Sequence, residues 1–324
     1  MNTPPLRHLG SAGLVVSATG LGCNNFGRTG VATETLEATR EVVAAAVDAG
    51  VTLFDTADIY GAPHGRSEEL LGAALGSRRD QVVVATKFGM DMEGINGPDF
   101  GARGSRRYIR TAVEASLRRL GTDWIDLYQL HQPDPSTPLE ETLAALDDLV
   151  REGKVRYLGH SNFAGWQLAD AAWTASAGGY TPFVSAQNEY SLLRRGIETE
   201  LLPAAAAHGV GVLPFFPLFN GLLTGKYSRS HAPEGARLTT LKPGVLAAAP
   251  WDQVEGLQAL ADARGISLLE LAFGWLLAQP QIASVIAGAT SVAQIEANAA
   301  AADAWTPSED DLAAVDAALG GGVR

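Results

Sequence analysis

The sequence predicts an α/β protein that folds as one (β/α)8 TIM barrel, and three observations support this. Short β-branched runs alternate with longer amphipathic helical patterns along most of the 324 residues. Eight such strands in strict β-then-α order require parallel pairing through right-handed crossovers. No Pro-, Gly- or Ser-rich linker divides the chain, and such barrels run as single domains of about 250 residues or more. We therefore expect one domain over residues 1–324.

The predicted strands are short and rich in branched side chains. They are residues 18–21, 51–54, 82–86, 125–130, 155–158, 183–187, 210–214 and 284–287. The predicted helices repeat apolar residues every three or four positions. They are residues 34–48, 67–75, 105–120, 139–151, 166–175, 198–207, 251–264 and 267–279. Thr33 is the predicted N-cap of the first helix, and Gly50, Gly121 and Gly153 follow predicted helix ends.

Four segments fall outside this alternation. Residues 6–16 place Gly10 and Gly13 between apolar positions and predict an N-terminal hairpin cap at one barrel end. Residues 88–104, residues 218–250 and the tail after Ala302 exceed ordinary connections. Because loops that long in a compact domain are usually functional, we expect them to be long substrate loops.

Composition excludes several classes of protein. The chain has 24 Lys and Arg against 36 Asp and Glu, and the net charge of −12 disfavours a nucleic-acid partner. The single cysteine, Cys23, excludes a disulfide framework and a zinc site built on cysteine pairs, and the six histidines lack metal-binding spacing. Neither a signal peptide nor a membrane-spanning run is visible. We expect a cytoplasmic protein that binds no metal and no membrane.

Polar side chains follow three adjacent predicted strands. Asp55 and Tyr60 come after the second strand, Lys87 ends the third, and His131 follows the fourth. Reactive groups of such barrels lie at the C-terminal ends of the strands. Reduction of a carbonyl develops negative charge on oxygen and needs a proton donor and fixed dipoles. Tyr60 would donate the proton, and Lys87, anchored by Asp55, would lower its pKa. His131 would orient the carbonyl.

Each of these residues also has a purely structural interpretation. An aspartate after a strand often caps the next helix, and a lone lysine there is often a surface ion-pair partner. A single histidine is often a core residue, and Tyr60 could pack over the rim. The joint occurrence of all four after adjacent strands favours the catalytic interpretation.

The residues around Asp55 resemble a known family signature. Residues 50–61 read GVTLFDTADIYG, which is similar to the signature of the aldo-keto reductases. The resemblance extends from about residue 20 to residue 298 and includes residues 126–131 and 153–159. The family's tetrad falls on Asp55, Tyr60, Lys87 and His131. The resemblance implies a (β/α)8 barrel that reversibly reduces a small-molecule carbonyl substrate with a nicotinamide cofactor, usually NADPH.

The resemblance also implies a cofactor site. Ser161, Asn162 and Gln187 would hold the nicotinamide carboxamide, because an amide needs both donors and acceptors. Phe215 would stack on the ring. The first-strand contact falls on Gly22 and Cys23, with Asp55 nearby. The pyrophosphate-covering loop falls on Pro217, Leu218, Gly221, Leu223, Gly225 and Lys226. The adenosine-binding loop and helix start fall on Gly288, Ala289, Thr290, Gln294 and Asn298.

The chain departs from the family pattern at the cofactor site. Phe216 stands where relatives usually have a small serine, so we expect one polar contact to the cofactor to be missing. Thr290 and Gln294 occupy positions that are often basic in NADPH-preferring members, which leaves NADH possible.

The expected substrate pocket combines tetrad and neighbouring side chains. Asn25 and Phe26 lie in the first-strand loop, and with Phe88, Tyr60 and His131 they are the expected substrate-binding residues.

A charged loop leaves the substrate class open. Arg103, Arg106 and Arg107 would bind an acidic or phosphorylated substrate, or else form a solvated face, which is the commoner role of such arginines.

Two other functions remain open. One is a Schiff-base aldolase that uses Lys87. The other is a non-catalytic, nicotinamide-binding sensor or regulatory subunit on the same fold. The sequence fixes neither the physiological substrate nor the oligomeric state.

Overall fold

The fold begins with an antiparallel hairpin at one end of a barrel. The computed structural model describes residues 3–320, so residues 1–2 and 321–324 of the predicted domain lie outside the described residues. Strands β1 (Leu6–His8) and β2 (Val15–Ser17) pair in the predicted hairpin. Leu9, Leu14 and Val16 pack among side chains of the barrel strands and so cover that end. Gly10 has φ +62, and a Cβ there would lie 2.2 Å from the carbonyl oxygen of Gly209, so the turn requires glycine.

Eight parallel strands form the barrel. They are β3 (Thr19–Gly22), β4 (Leu53–Asp55), β5 (Val83–Phe88), β6 (Ile125–Leu130), β7 (Val155–Ser161), β8 (Phe183–Gln187), β9 (Gly211–Val212) and β10 (Val285–Gly288). β10 pairs with β3, and each later strand pairs with the next as far as β9. A parallel bridge between Val212 and Ile282, just before β10, closes the barrel. The predicted fold is confirmed.

Helices surround the barrel and alternate with its strands. They are α1 (Leu36–Asp48), α2 (Arg66–Leu75), α3 (Arg106–Leu120), α4 (Leu139–Arg151), α5 (Gly165–Gly178), α6 (Leu201–His208), α7 (Arg237–Thr240), α8 (Pro243–Ala247), α9 (Trp251–Arg264), α10 (Leu268–Leu277), α11 (Val292–Ala301) and α12 (Glu309–Ala318). One apolar cluster lies mainly between β3–β7 and α1–α5, and a second between β8–β10 and helices α6, α9, α10 and α12. Within residues 3–320 no helix is long and apolar enough to cross a membrane.

Three local predictions need correction. Thr35, and not Thr33, caps α1: its hydroxyl accepts from the Ala38 amide at 3.3 Å, whereas Thr33 donates to the carbonyl of Asn25. The predicted loop 218–250 contains the short helices α7 and α8, and the tail after Ala302 contains α12. β9 is shorter than residues 210–214, although the Leu213 amide still donates to Ala186 of β8.

Candidate active site

An ion pair between Asp55 and Lys87 lies at the C-terminal mouth of the barrel. Asp55 ends β4, and Lys87 lies on the neighbouring β5. The Lys87 Nζ atom donates to both carboxylate oxygens of Asp55, at 2.8 and 2.7 Å, and to the carbonyl of Thr56 at 2.9 Å. Lys87 is fully buried and Asp55 is 3% exposed. All three ammonium protons therefore have acceptors, and the lysine is fixed in one position.

Tyr60 and His131 lie beside this pair. The Lys87 ammonium is 5.1 Å from the centre of the Tyr60 ring. The rings of Tyr60 and His131 are 5.9 Å apart and nearly perpendicular, at 85°. His131 is held through its backbone, because its amide donates to Phe88 and its carbonyl accepts from the Asn162 side chain. The structure thus brings the four predicted catalytic side chains together.

Burial and charge set the protonation of these groups. Burial raises the pKa of Tyr60 above its usual value, and the charge of Lys87 opposes that rise. Burial disfavours the charge of Lys87, but Asp55 and then Tyr60 outweigh it, so the pKa of Lys87 is raised. Burial and then Lys87 lower the pKa of His131 to about 3. The site therefore holds a neutral phenol, an ammonium and a neutral imidazole. Lys87 does lower the pKa of Tyr60, as predicted, but burial raises that pKa by more than Lys87 lowers it.

Two glutamines also bind Asp55. The Gln187 side chain donates to Asp55 Oδ1 at 2.8 Å, and the Gln129 side chain donates to the same oxygen at 3.3 Å. The sequence did not single out Gln129. Gln129 is a buried residue of β6 and lies two residues before His131 in the sequence. Because alternate strand residues share a face, the position of His131 was a usable signal for it.

The predicted carboxamide-binding residues lie at the ends of β7 and β8. The Ser161 hydroxyl donates to the carbonyl of Gln187 at 2.7 Å and accepts from the Asn162 side chain at 3.0 Å. Asn162 has φ +62, a left-handed conformation that asparagine tolerates better than most residues. Its side chain is exposed at the mouth and also binds the carbonyl of His131. Ser161, Asn162 and Gln187 are therefore contiguous with the tetrad.

The predicted aromatic and pyrophosphate residues follow β9. Phe215 is half-buried and packs edge-to-face on Phe216, 5.2 Å away. Phe216, Phe219 and Asn220 all have positive φ, so the backbone turns sharply here. The other predicted residues differ in exposure: Pro217 and Leu223 are buried, Leu218 and Gly221 are half-buried, and Gly225 and Lys226 are exposed. The buried Leu223 side chain belongs to the core, so only its backbone is available to a ligand.

The predicted adenosine-binding residues lie between β10 and α11. Gly288 is exposed and Ala289 is buried. The Thr290 amide donates to the Gln294 side chain at 2.8 Å, and Ser291 caps α11. Asn298 is 5% exposed and its carbonyl accepts from Thr19.

Gly22 and Cys23, the predicted cofactor contacts of the first barrel strand, lie next to the adenosine-binding loop. Gly22 pairs with both Gly288 and Asp55, which puts the adenosine loop beside the tetrad strand. Cys23 is fully buried, its amide donates to the Asp55 carbonyl, and burial, then Asp55, raises its pKa well above the usual value.

Three expected substrate residues lie elsewhere. Phe26 and Phe88 have no exposed surface and pack in the core between strands and helices, where Phe88 stacks on Tyr128 at 4.7 Å. Phe88 directly follows Lys87 on β5 and therefore faces the opposite side of the strand. The Asn25 side chain lies against Gly288. Of the expected substrate-binding residues, only Tyr60 and His131 lie at the site, and both are members of the tetrad.

The arginines of the predicted substrate loop are occupied. Arg103 pairs with Asp99 and Asp91, Arg106 pairs with Asp148, and Arg107 stacks over the Phe100 ring. Because these side chains already have partners, the contacts favour the second interpretation, in which the three arginines form a solvated face.

Two arginines that the sequence did not single out lie near the adenosine loop. Arg237 of α7 donates to the Asn25 side chain at 3.5 Å, and its Nε atom is buried without a partner among the described residues. Burial, and then the charge of the nearby Arg28, lowers the pKa of Arg237. No periodic pattern marks Arg237, because it lies in a long connection.

The residues present fit a nicotinamide dinucleotide. Convergent hydroxyl and amide groups lie beside the tetrad, an aromatic ring follows β9, and unpaired cations lie at the far end. The Asn220 Oδ1 and Arg237 Nε atoms are buried without partners within residues 3–320, as unfilled polar positions of a ligand site would be. Among residues 3–320 no group of His, Cys, Asp or Glu side chains could hold a metal ion.

Known proteins similar to this chain are members of one family or are named as oxidoreductases or channel subunits. A family model described as "Aldo/keto reductase family" matches residues 18–319. The chain is 35% identical over 328 residues to an L-glyceraldehyde 3-phosphate reductase of Escherichia coli (strain K12), covering 96% of this chain and 91% of the relative. It is 41% identical over 297 residues to an uncharacterized oxidoreductase of Bacillus subtilis (strain 168), with 89% and 88% covered. It is 35% identical over 307 residues to a probable voltage-gated potassium channel subunit beta of Arabidopsis thaliana, with 92% and 90% covered.

Proposed function

The chain belongs to the aldo/keto reductase family, and from that premise we propose that it reversibly reduces an aldehyde or ketone to an alcohol with NADPH. The observation that carries this proposal is the Lys87 ammonium, held on both oxygens of Asp55 and next to Tyr60. A bound reduced nicotinamide supplies the hydride that adds to the carbonyl carbon. The residues of the chain supply the proton and the electrostatic stabilisation.

Tyr60 gives its hydroxyl proton to the carbonyl oxygen as negative charge develops there. Lys87 stabilises the phenolate that remains, and Asp55 keeps Lys87 charged and in place. His131 is neutral because its pKa is about 3, so one ring nitrogen donates a hydrogen bond to the carbonyl oxygen without releasing a proton. Oxidation of the alcohol reverses these roles, with the phenolate as the base.

The unpaired cations support NADPH over NADH. Thr290 and Gln294 offer no positive charge at the adenosine loop, but Arg237 and Arg28 lie close to that loop through Asn25 and Gly288. A guanidinium binds a phosphate through two parallel hydrogen bonds. We assign Arg237, assisted by Arg28, to the 2′-phosphate that distinguishes NADPH.

Two measurements test the reaction class. Tryptophan fluorescence would follow titration with NADPH and then NADH, and turnover would be measured on a panel of aldehydes, ketones and sugars. L-Glyceraldehyde 3-phosphate belongs in the panel because a relative with 35% identity is named for it. Saturable NADPH binding with its consumption on a carbonyl is expected.

Tyr60→Phe removes the proposed acid. It should lower turnover by about two to four orders of magnitude while cofactor affinity stays close to that of the parent protein. Undiminished turnover in this variant would exclude Tyr60 as the proton donor.

The environment of Lys87 argues against a Schiff-base aldolase. Such an enzyme needs a neutral, accessible amine. Lys87 is fully buried, its pKa is raised, and its ammonium donates to three oxygens. Borohydride in the presence of a carbonyl compound should therefore leave no adduct on Lys87.

The second candidate is a cofactor-binding regulatory subunit without turnover in its normal role. It is favoured by the 35% identity to a probable potassium channel subunit beta. Tight NADPH binding without consumption on any panel member would support this candidate over the reductase.

A further inference from the structure

A second buried polar cluster lies behind the tetrad. We call it the Asp58 cluster, and it consists of Asp58, Glu68, Thr86, Asn96 and Arg119. The first three are fully buried, Asn96 is 5% exposed, and the Arg119 side chain is 12% exposed. Thr86 precedes Lys87 on β5, and neighbouring strand residues face opposite sides. The cluster therefore lies on the other side of the strand that presents Lys87.

Hydrogen bonds join the members in a chain. Asn96 donates to Asp58 at 3.0 Å, and Arg119 donates to the Asn96 oxygen at 2.9 Å. Arg119 also donates to Glu68 at 2.7 Å, and Glu68 accepts from Thr86 at 2.6 Å. The members come from different elements: the loop after β4, α2, β5, the loop 88–104 and α3. One side chain, Asn96, thus links the loop 88–104 to the loop that carries Tyr60.

The Tyr60 loop is tied to the cluster at both ends. Asp58 lies two residues before Tyr60, and its amide donates to the carbonyl of Lys87 at 3.1 Å. The carbonyl of Tyr60 accepts from the amide of Ser67 at 3.1 Å, and Glu68 is the next residue. A displacement of Asp58 or Glu68 would therefore move Tyr60 relative to Lys87.

The composition of the cluster is not what stability alone would select. The buried cluster contains two carboxyl groups and one guanidinium, which pairs with Glu68, and replacing such groups by apolar side chains is often neutral or stabilising. Burial, and then Glu68, raises the pKa of Asp58 well above its usual value. Asp58 Oδ1 also has no partner among the described residues. Because burying these groups costs stability, the arrangement indicates that the cluster is needed to hold side chains in position.

We propose that the Asp58 cluster positions Tyr60 against Lys87 and couples that position to the loop 88–104, with Asn96 as the link. In the described part of the chain, the Asn96 side chain bonds only to cluster members and the Tyr108 hydroxyl, so Asn96 is a positioning residue. The inference rests on the proposed function, in which Tyr60 is the acid. It adds a route by which the conformation of a long loop sets the position of the proton donor.

Asn96→Asp tests the link. The variant keeps an acceptor for Arg119 but replaces the group that donates to Asp58 by an oxygen. We expect kcat to fall about tenfold with the NADPH Kd unchanged. The pKa of the Tyr60 phenol should shift by about half a unit or more, measured by NMR of ζ-¹³C-tyrosine with the Tyr60 signal assigned from Tyr60→Phe.

Adding Asp58→Asn to that variant provides a rescue. The pair then has donor and acceptor exchanged, so kcat and the Tyr60 pKa should return towards the parent values. Glu69→Gln is the matched control, because Glu69 neighbours Glu68 but forms only an exposed pair with Arg66. It should change neither quantity.

The proposal is overturned if Asn96→Asp leaves both kcat and the Tyr60 pKa unchanged, or if the double variant fails to restore them. If Asn96→Asp does not fold, the double variant decides: parent values support the link, and a tenfold loss overturns it. Failure of the proposed function is distinguishable, since the parent would then consume no NADPH on the carbonyl panel, or Tyr60→Phe would retain full turnover. Loss of turnover in Tyr60→Phe with parent behaviour in Asn96→Asp removes only this inference.

Discussion

Two regions of the barrel mouth differ in whether their charged side chains are paired. The floor, which comprises Asp55, Lys87, Gln129 and Gln187, is buried, and the carboxylate and the ammonium are paired. The rim comprises Arg28, Lys226, Arg237 and Lys242. Among residues 3–320 none of the rim cations forms an ion pair. By contrast, Arg229, which lies in the connection 218–250 with Lys226, Arg237 and Lys242, pairs with Asp252 and Glu255. The charges of the floor are therefore paired within the protein, whereas the rim cations have no carboxylate partner in the part of the chain that the structure describes.

The difference teaches which part of the site is preorganised. Groups fixed before the reaction stabilise developing charge without reorganisation, and strand ends fix the floor in this way. Apart from Arg28, which follows β3, the rim cations lie in the long connection 218–250, where Lys226 rests over Tyr227 and Lys242 over Phe216 instead of on carboxylates. We therefore expect substitutions in the floor to affect chemistry and stability, and substitutions in the rim to affect binding.

Lys87→Met should give the largest effect. Turnover should fall by about two to four orders of magnitude, since the phenolate of Tyr60 loses its counter-charge. Asp55 becomes a buried carboxylate without a cation, which should lower the free energy of unfolding by about 3–5 kcal/mol in urea titrations. Lys226→Met is the matched control in the rim and should leave the free energy of unfolding unchanged, because Lys226 is exposed. Equal stability losses in the two variants would contradict the comparison.

His160 tests the packing behind the floor. It is fully buried on β7, stacks on Phe163 at 4.3 Å, and neither ring nitrogen has a partner among the described residues. Burial lowers its pKa from 6.5 to about 3. The folded protein therefore binds this proton less readily than the unfolded chain, and stability is full above pH 6.5 and declines as pH falls towards 3.

His160→Leu should remove that dependence. Below pH 6.5 the parent should lose about 1.4 kcal/mol more unfolding free energy per pH unit than the variant, which keeps only the contribution of other groups such as His131. Urea titrations at pH 7, 6 and 5 measure the difference. His231→Leu is the control, because His231 is exposed and should give the parent slope. Parallel pH profiles for the parent and His160→Leu would exclude a neutral, buried His160.

Arg237→Met should give the smallest of these effects and sharpen the assignment of the rim. The NADPH Kd should rise about tenfold and the NADH Kd by less than about threefold, because only NADPH has the 2′-phosphate. The NADPH difference should shrink as salt is raised. Arg229→Met lies in the same loop but is already paired with carboxylates, so it should leave both constants unchanged. A proportional rise for both cofactors would remove the 2′-phosphate assignment.

The sequence predicts the floor better than the rim, for a physical reason. The order of the strands and the two-residue alternation of side chains along each strand place Asp55, Lys87 and His131 at one barrel end. The positions of these tetrad residues can therefore be predicted from the sequence. The same period places Phe88 on the opposite side of the strand from Lys87, which is why it is in the core. Membership of the reductase family is confirmed, while the cofactor, the small-molecule partner and the cytoplasmic location stay predictions.

The remaining differences arise where contacts are made between segments distant in sequence. Arg237 reaches Asn25 across 212 positions, and Asn96 reaches Asp58 across 38, with no local pattern at either end. Thr33 and Thr35 are both suitable caps by residue type. Thr33 donates instead to the carbonyl of Asn25, and this tertiary contact leaves Thr35 as the cap.

The unpaired rim cations have a consequence for the rate at which a cofactor arrives. The protein as a whole has a net charge of −12, so at long range it repels a dinucleotide that carries several negative charges. Near the mouth, the positive charges of Arg28 and Arg237 have no carboxylate partner among residues 3–320, and they oppose this repulsion locally. Encounters are then productive over a small part of the surface, and added salt screens the distant repulsion together with the local attraction. We expect the association rate constant to vary less with ionic strength than the ligand's own charge would suggest.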